Sequence, residues 1–171
     1  MDAIARGRAD LALADGVLHD DPQVYIRPLF RDGFYLLGPV GGHLPDVVGV
    51  EEPDVSNEIL ISGQEKIRVW HDHWFGVNAR PLLYTDVPQN VEHLPFGEAR
   101  WCVGPATTAH QFRRLYGNQV CRLSDPPESR TFYLVTQKGQ PLRAAAKLFL
   151  EDLRGHLRHI EGVQIFSQRL Q

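Results

Sequence analysis

Ser62-Gly63-Gln64 follows the apolar run Ile59-Leu60-Ile61, and Glu65 stands three residues after Ser62. That spacing is a capping box, and it predicts a helix beginning at Gly63 or Gln64. The first N–H groups of a helix lack internal partners and carry the positive end of its dipole, so such a mouth can hold an anion. The competing reading is that Ser62 only caps its own helix. Asp15 and Gly16 close a second apolar run, Leu11-Ala12-Leu13-Ala14. Leu83, Thr85 and Asp86 stand at the end of a third, which opens at Pro81-Leu82. There Thr85 can donate and accept a hydrogen bond, and Leu83 can supply an apolar wall. Pro105 and Thr107 open another helix. All of these positions fall at strand ends or helix mouths, where open α/β sheets gather ligands. All are equally compatible with plain turns.

Other chemistries find less support. His71 and His73 sit in a Trp-His-Asp-His-Trp run. Residues two apart on a helix point away from each other, so they do not chelate as an i, i+4 pair would, and both are expected on a solvated surface. His43, His93 and His110 are too scattered for a metal site. Cys102 with His110 would be a nucleophile and a base, yet Cys102 falls inside an expected buried strand, where thiols are inert. Phosphate-loop and dinucleotide motifs are absent. No catalysis, cofactor or metal is therefore expected. Neither Cys102 nor Cys121 belongs to a CxxC pair, which suits two reduced thiols. A net charge of −3 argues against a uniformly basic nucleic-acid binder. No run approaches the ~18 apolar residues of a membrane span, and no leader pattern opens the chain. A cytoplasmic protein is the expectation.

The elements that must position these residues alternate. A helix carrying Ile4 and Ala5 ends near Gly7, and strands follow at residues 11–14, 24–29 and 34–37. Strands are expected at 59–61, 81–84, 101–103, 120–123 and 131–136. Between them lie a helix with the stripe Ile67, Trp70 and Trp74, a short helix bearing Val91 and Leu94 with Asp86 as cap, and a helix over 107–115. The clearest helix carries Leu142, Ala146, Phe149, Leu153 and Leu157, with Pro141 in its first turn. Residues 161–171 show little pattern. Such alternation implies an α/β fold with a mostly parallel sheet and helices on both faces.

Three stretches together resemble the effector domain of LysR-type transcriptional regulators. The first is Ala5-Arg6-Gly7-Arg8-Ala9-Asp10-Leu11-Ala12-Leu13. The second runs from Arg27-Pro28-Leu29 through Phe34-Tyr35-Leu36-Leu37 to Gly42-His43-Leu44-Pro45. The third runs from Arg130 to Val135, through Lys138-Gly139, to the helix with Phe149 and Leu153. The resemblance covers about residues 1–158 and implies a two-lobed fold of the type 2 periplasmic-binding-protein kind, hinged by two crossing strands. Residues 1–40 with 136–160 would form the first lobe and 41–135 the second, with 161–171 a tail. The family's winged helix-turn-helix, linker helix and opening strand–helix–strand have no counterpart here, so the first lobe is expected to be incomplete. Its strand at 11–14 would then lack a neighbour on one side.

The resemblance implies a ligand-sensing module. A small-molecule effector, an anion among the candidates, would bind in the interlobe cleft and shift the closure of the lobes. It also implies a homo-oligomer that reaches DNA only through a helix-turn-helix, with no membrane partner. The candidate ligand contacts are then Asp15, Gly16, Ser62, Gly63, Gln64, Leu83, Thr85, Asp86, Pro105 and Thr107, of which the resemblance directly supports the Ser62–Gln64 loop as cleft-facing. Two alternatives stay open: a free-standing solute-binding protein, and a truncated remnant of a regulator with no function of its own.

Overall fold

The strongest β-forming run in the chain, Thr131-Phe132-Tyr133-Leu134-Val135-Thr136, becomes an inner strand with a sheet neighbour on each side. The structure is a computed structural model that describes residues 2–16, 19, 21–61, 63, 65–86 and 99–167. In chain order the elements are α1 (Asp2–Ala5), β1 (Leu11–Asp15), β2 (Val24–Asp32), β3 (Phe34–Val40), β4 (Val47–Val48), β5 (Ile59–Ile61), α2 (Glu65–Phe75) and β6 (Leu83–Thr85). They continue with β7 (Cys102–Pro105), α3 (Ala106–Tyr116), β8 (Asn118–Leu123), β9 (Arg130–Gln137), α4 (Ala144–Leu157) and β10 (Val163–Ile165). The expected helix at Val91 and Leu94 lies outside the described residues.

The chain divides into two units, residues 1–32 with 129–171, and residues 33–128. It passes from one to the other after Asp32 and again after Glu128. β3 accordingly belongs with residues 41–128, and all of β9 belongs with residues 1–32.

The first unit is built on one sheet of order β1-β9-β2-β10, antiparallel throughout. β1 pairs with β9 alone among the described residues. On one face Leu29, Phe30 and Leu134 pack with Leu142, Ala146, Leu150 and Leu157 from α4 and its approach. On the other, Val24 and Val135 pack with Ile4 of α1. The helix stripe differs from expectation by one position. Leu150 is fully buried, whereas Phe149 is 47% exposed, because α4, which begins at Ala144, packs Leu150 rather than Phe149 against Leu29 and Leu134. Pro141 therefore precedes the helix rather than sitting in its first turn, and Arg143 is the cap residue. Residues 163–165 form β10 on the edge of this sheet, where Val163 and Ile165 pack against the α4 cluster. Three residues are too few for periodicity to reveal.

The second unit has the order β4-β8-β3-β7, with β5-β6 joined to it through a parallel bridge between Glu58 and Trp101. Its core gathers Phe34, Leu36, Val48, Val50, Leu60, Ile67, Trp70, Trp101, Val103, Cys121 and Leu123. The expected mostly parallel sheet is corrected here. Of the pairings between described strands, only β4–β8 and β5–β6 are parallel. The reason is that β3 and β9 each lie between two strands that run against them.

Truncating Leu150 tests the packing of α4. Leu150→Ala is expected to cost about 2–5 kcal/mol, read from urea unfolding followed by circular dichroism.

Candidate functional site

In the second unit β5 and β6 run parallel, with Ile61 opposite Thr85. Parallel strands in one sheet need a return crossover, which α2 supplies between them. Both strands therefore end at the same edge. Trp101 extends the set, because Ile59 N–H donates to Trp101 O at 2.8 Å and Trp101 N–H to Asn57 O at 3.3 Å. The chain from Trp101 through β7 thus runs with β5, and it too ends at that edge, at Pro105. The edge brings together Gly63, Thr85, Asp86, Pro105 and Thr107, with the starts of α2 and α3.

The packing there is close. A Cβ on Gly63 would stand 2.6 Å from the carbonyl oxygen of Asp86, so only glycine lets the two strand ends approach. Thr85 is buried and Asp86 exposed. Pro105 caps α3 without a side-chain hydrogen bond, and Ala106 N–H donates to Gly33 O at 2.8 Å. Leu83 begins β6, so it lies away from that edge; it is 38% exposed, and its N–H donates to Glu58 O at 3.2 Å. Ser62 and Gln64 lie outside the described residues. Asp15 and Gly16 belong to the first unit, at the end of β1. Gly16 has a φ of +87°, and Asp15 is half exposed, 3.7 Å from Arg130.

Two charged pairs escaped the sequence reading. Glu58, immediately before β5, and His71 on α2 are buried to 0% and 2% exposure, with 2.8 Å between Oε2 and Nε2. The expectation that His71 sits on a solvated surface is thereby corrected. His71 lies four residues after Ile67 and one after Trp70, on the apolar stripe itself, whereas His73 is exposed. That i, i+4 spacing was the available signal. Burial raises the Glu58 carboxyl above its ordinary range against the pull of His71. Burial opposes charge on His71 as well, but its bond to Glu58 and the nearby Asp72 more than reverse this and raise it.

The second pair is Arg130 and Asp32, at the matched ends of β9 and β2 where the chain leaves the first unit. Arg130 Nη2 donates to Asp32 Oδ2 at 3.3 Å, and the guanidinium lies 4.7 Å from the Phe132 ring centre. A lone arginine beside a strand carries no pattern that would have flagged it.

Cys102 is buried in β7, its thiol pushed far up by burial and then by the charge of Glu58. Among the described residues no cluster of three or more metal-ligating side chains occurs. No described helix is long and apolar enough to cross a membrane.

A family model described as the LysR substrate binding domain matches residues 1–158. The chain belongs to this family. No curated protein matches it in sequence. Solved structures agree on the LysR-domain fold. A reduced form of OxyR from N. meningitidis matches with a TM-score of 0.57 at 15% identity, covering 97% of this chain and 80% of that one. HinK, a LysR family transcriptional regulator from Pseudomonas aeruginosa, matches with a TM-score of 0.60 at 20% identity, covering 91% and 55%. Full-length CbnR complexed with its target DNA matches with a TM-score of 0.62 at 14% identity, covering 90% and 53%. This LysR domain therefore spans little more than half the length of the latter two. At these identities the structures establish the fold, which is that of the type 2 periplasmic-binding-protein kind.

Two outcomes test this geometry. Gly63→Ala is expected to cost about 1–3 kcal/mol through overpacking against Asp86, measured by thermal unfolding. The buried pair sets a pH dependence of one sign. A raised His71 contributes stability that is full below its ordinary 6.5 and is lost as pH rises through its folded value. A raised Glu58 binds its proton more readily in the folded state, so stability also falls as pH rises from its ordinary 4.5 through its higher folded value. Unfolding midpoints should therefore decline from about pH 5 to beyond neutrality, and the double variant Glu58→Gln with His71→Gln should flatten that decline.

Proposed function

We propose that this chain is the effector-sensing domain of a LysR-type transcriptional regulator, and that it binds a small metabolite at the edge carrying Gly63, Thr85, Asp86, Pro105 and Thr107. The observation that supports this reading is the convergence of three parallel segments and two helix starts on one edge. Helix starts favour an anionic group on the ligand. The exposed Asp86 carboxylate favours a hydroxyl or ammonium beside that group, and Thr85 and Thr107 offer hydroxyls to either. Ser62 and Gln64 share the proposed role, whereas Leu83, at the other end of β6, is left out of it. Asp15 and Gly16, at the end of β1, are proposed as ligand contacts of the first unit.

In this reading the chain has no catalytic role, and its contribution to transcription is the differing affinity of the effector for alternative conformations. DNA binding, oligomer formation and a cytoplasmic location belong to the whole regulator. CbnR, solved with its target DNA, gives the precedent for the DNA contact. Family membership favours a regulator over a free-standing solute-binding protein.

The test is a thermal-shift screen against carboxylates, amino acids and phosphorylated metabolites. A true effector at 100 times its Kd should add about 2.7 kcal/mol of stability. Asp86→Asn and Thr107→Val should each reduce that increment, and Asp15→Asn tests the first unit separately. A screen in which nothing stabilises the wild type, or in which Asp86→Asn and Thr107→Val respond as the wild type does, would sink the assignment.

A further inference from the structure

Arg27 lies on β2, opposite Leu134. Arg154 is in the last turn of α4, and Arg158 is its cap residue, four positions on. α4 packs over this face of the sheet through Leu150 and Leu157 against Leu29 and Leu134, so the arginines come from the sheet and from the helix that covers it. The Arg27 Nε and the Arg154 Nε and Nη2 are buried and have no hydrogen-bond partner. Among the described residues no carboxylate stands within ion-pairing distance of any of the three. Arg154 is half-buried beneath that packing and Arg158 is exposed, and burial first, then the charges of Arg158 and Arg27, lowers the Arg154 pKa.

An ordinary structural role accounts for only part of this. The carboxyl end of α4 carries a negative partial charge that favours cations in its last turn. Long arginine stems can also cover apolar surface while their heads reach water. Neither effect gives an acceptor to a buried N–H, and a donor left without one is destabilising. Buried polar groups of this kind call for a partner, which a water or a bound ion can supply, and a guanidinium favours an anion.

We propose that Arg27, Arg154 and Arg158 form a binding site for an oxyanion, a phosphate or a carboxylate group, in the first unit. The guanidinium fork matches both groups, each of which can accept two parallel N–H bonds. The site uses none of the residues proposed for the effector above.

The experiment is thermal unfolding of the full chain in chloride, inorganic phosphate, or succinate, at equal ionic strength and pH. Phosphate or succinate should raise the wild-type midpoint above that in chloride by several degrees at millimolar concentration. Arg154→Gln and Arg27→Gln should each remove most of that increment, while Thr107→Val should keep it. A larger response to phosphate marks a phosphorylated ligand, and a larger response to succinate marks a carboxylate ligand; either supports the site. If either variant fails to fold, isothermal titration of the wild type with phosphate and with succinate, with and without prior modification of arginine by phenylglyoxal, replaces it. Equal midpoints in all three salts, an increment that survives Arg154→Gln, or one that Thr107→Val abolishes, would overturn the proposal.

Discussion

The parallel alignment of β5, β6 and the segment from Trp101 through β7 governs the chemistry of the second unit. A parallel neighbour cannot be reached by a tight turn, so the chain must be carried back along the sheet before each new strand. α2 does this between β5 and β6. Every strand of the set then ends at one edge, and α2 and α3, which follow β5 and β7, start there. Backbone N–H groups and strand-end side chains accumulate at that edge as a consequence of direction alone. Gly63 is the sharpest expression of the constraint, since its missing side chain is what allows the ends of β5 and β6 to meet.

Both units hold charge inside them. Glu58 and His71 join the start of β5 to α2, while the Glu58 backbone carbonyl receives the Leu83 N–H of β6. One buried carboxylate therefore ties its own segment to the crossover helix and, through the main chain, to the neighbouring strand. Asp32 is equally buried, and Arg130 reaches it from the paired strand while lying over Phe132, which stacks on Phe30 at 4.6 Å. Removing one member of such a pair leaves a charge that the interior cannot solvate. The first unit is thus braced at the point where its two long strands leave it.

The fold was largely legible from residue order. Apolar runs bounded by Gly, Pro and Asp marked most strands, and the family pattern around Gly7, Pro28 and Lys138 set their sequence. The errors have local causes. Ala146 can continue a helical stripe through Phe149 or through Leu150, and only packing against the sheet selects Leu150. β10 was invisible because three residues cannot show a period. The parallel sheet was over-extended because alternation of strands and helices does not reveal which strands return against their neighbours.

The sequence by itself determined where chain direction changes and which residues can end a strand, because turns and caps are short-range and depend on a few neighbouring side chains. It therefore located Gly63, Thr85, Asp86, Pro105 and Thr107 as strand-end positions, and it carried the family. Only the tertiary structure decided that these positions share an edge, that Leu83 sits at the opposite end of its strand from Asp86, and that Glu58 meets His71 across thirteen residues. Such pairings depend on how strands order themselves in a sheet and on how helices pack over it. That choice is made by burial of surface from distant parts of the chain, and no local pattern records it.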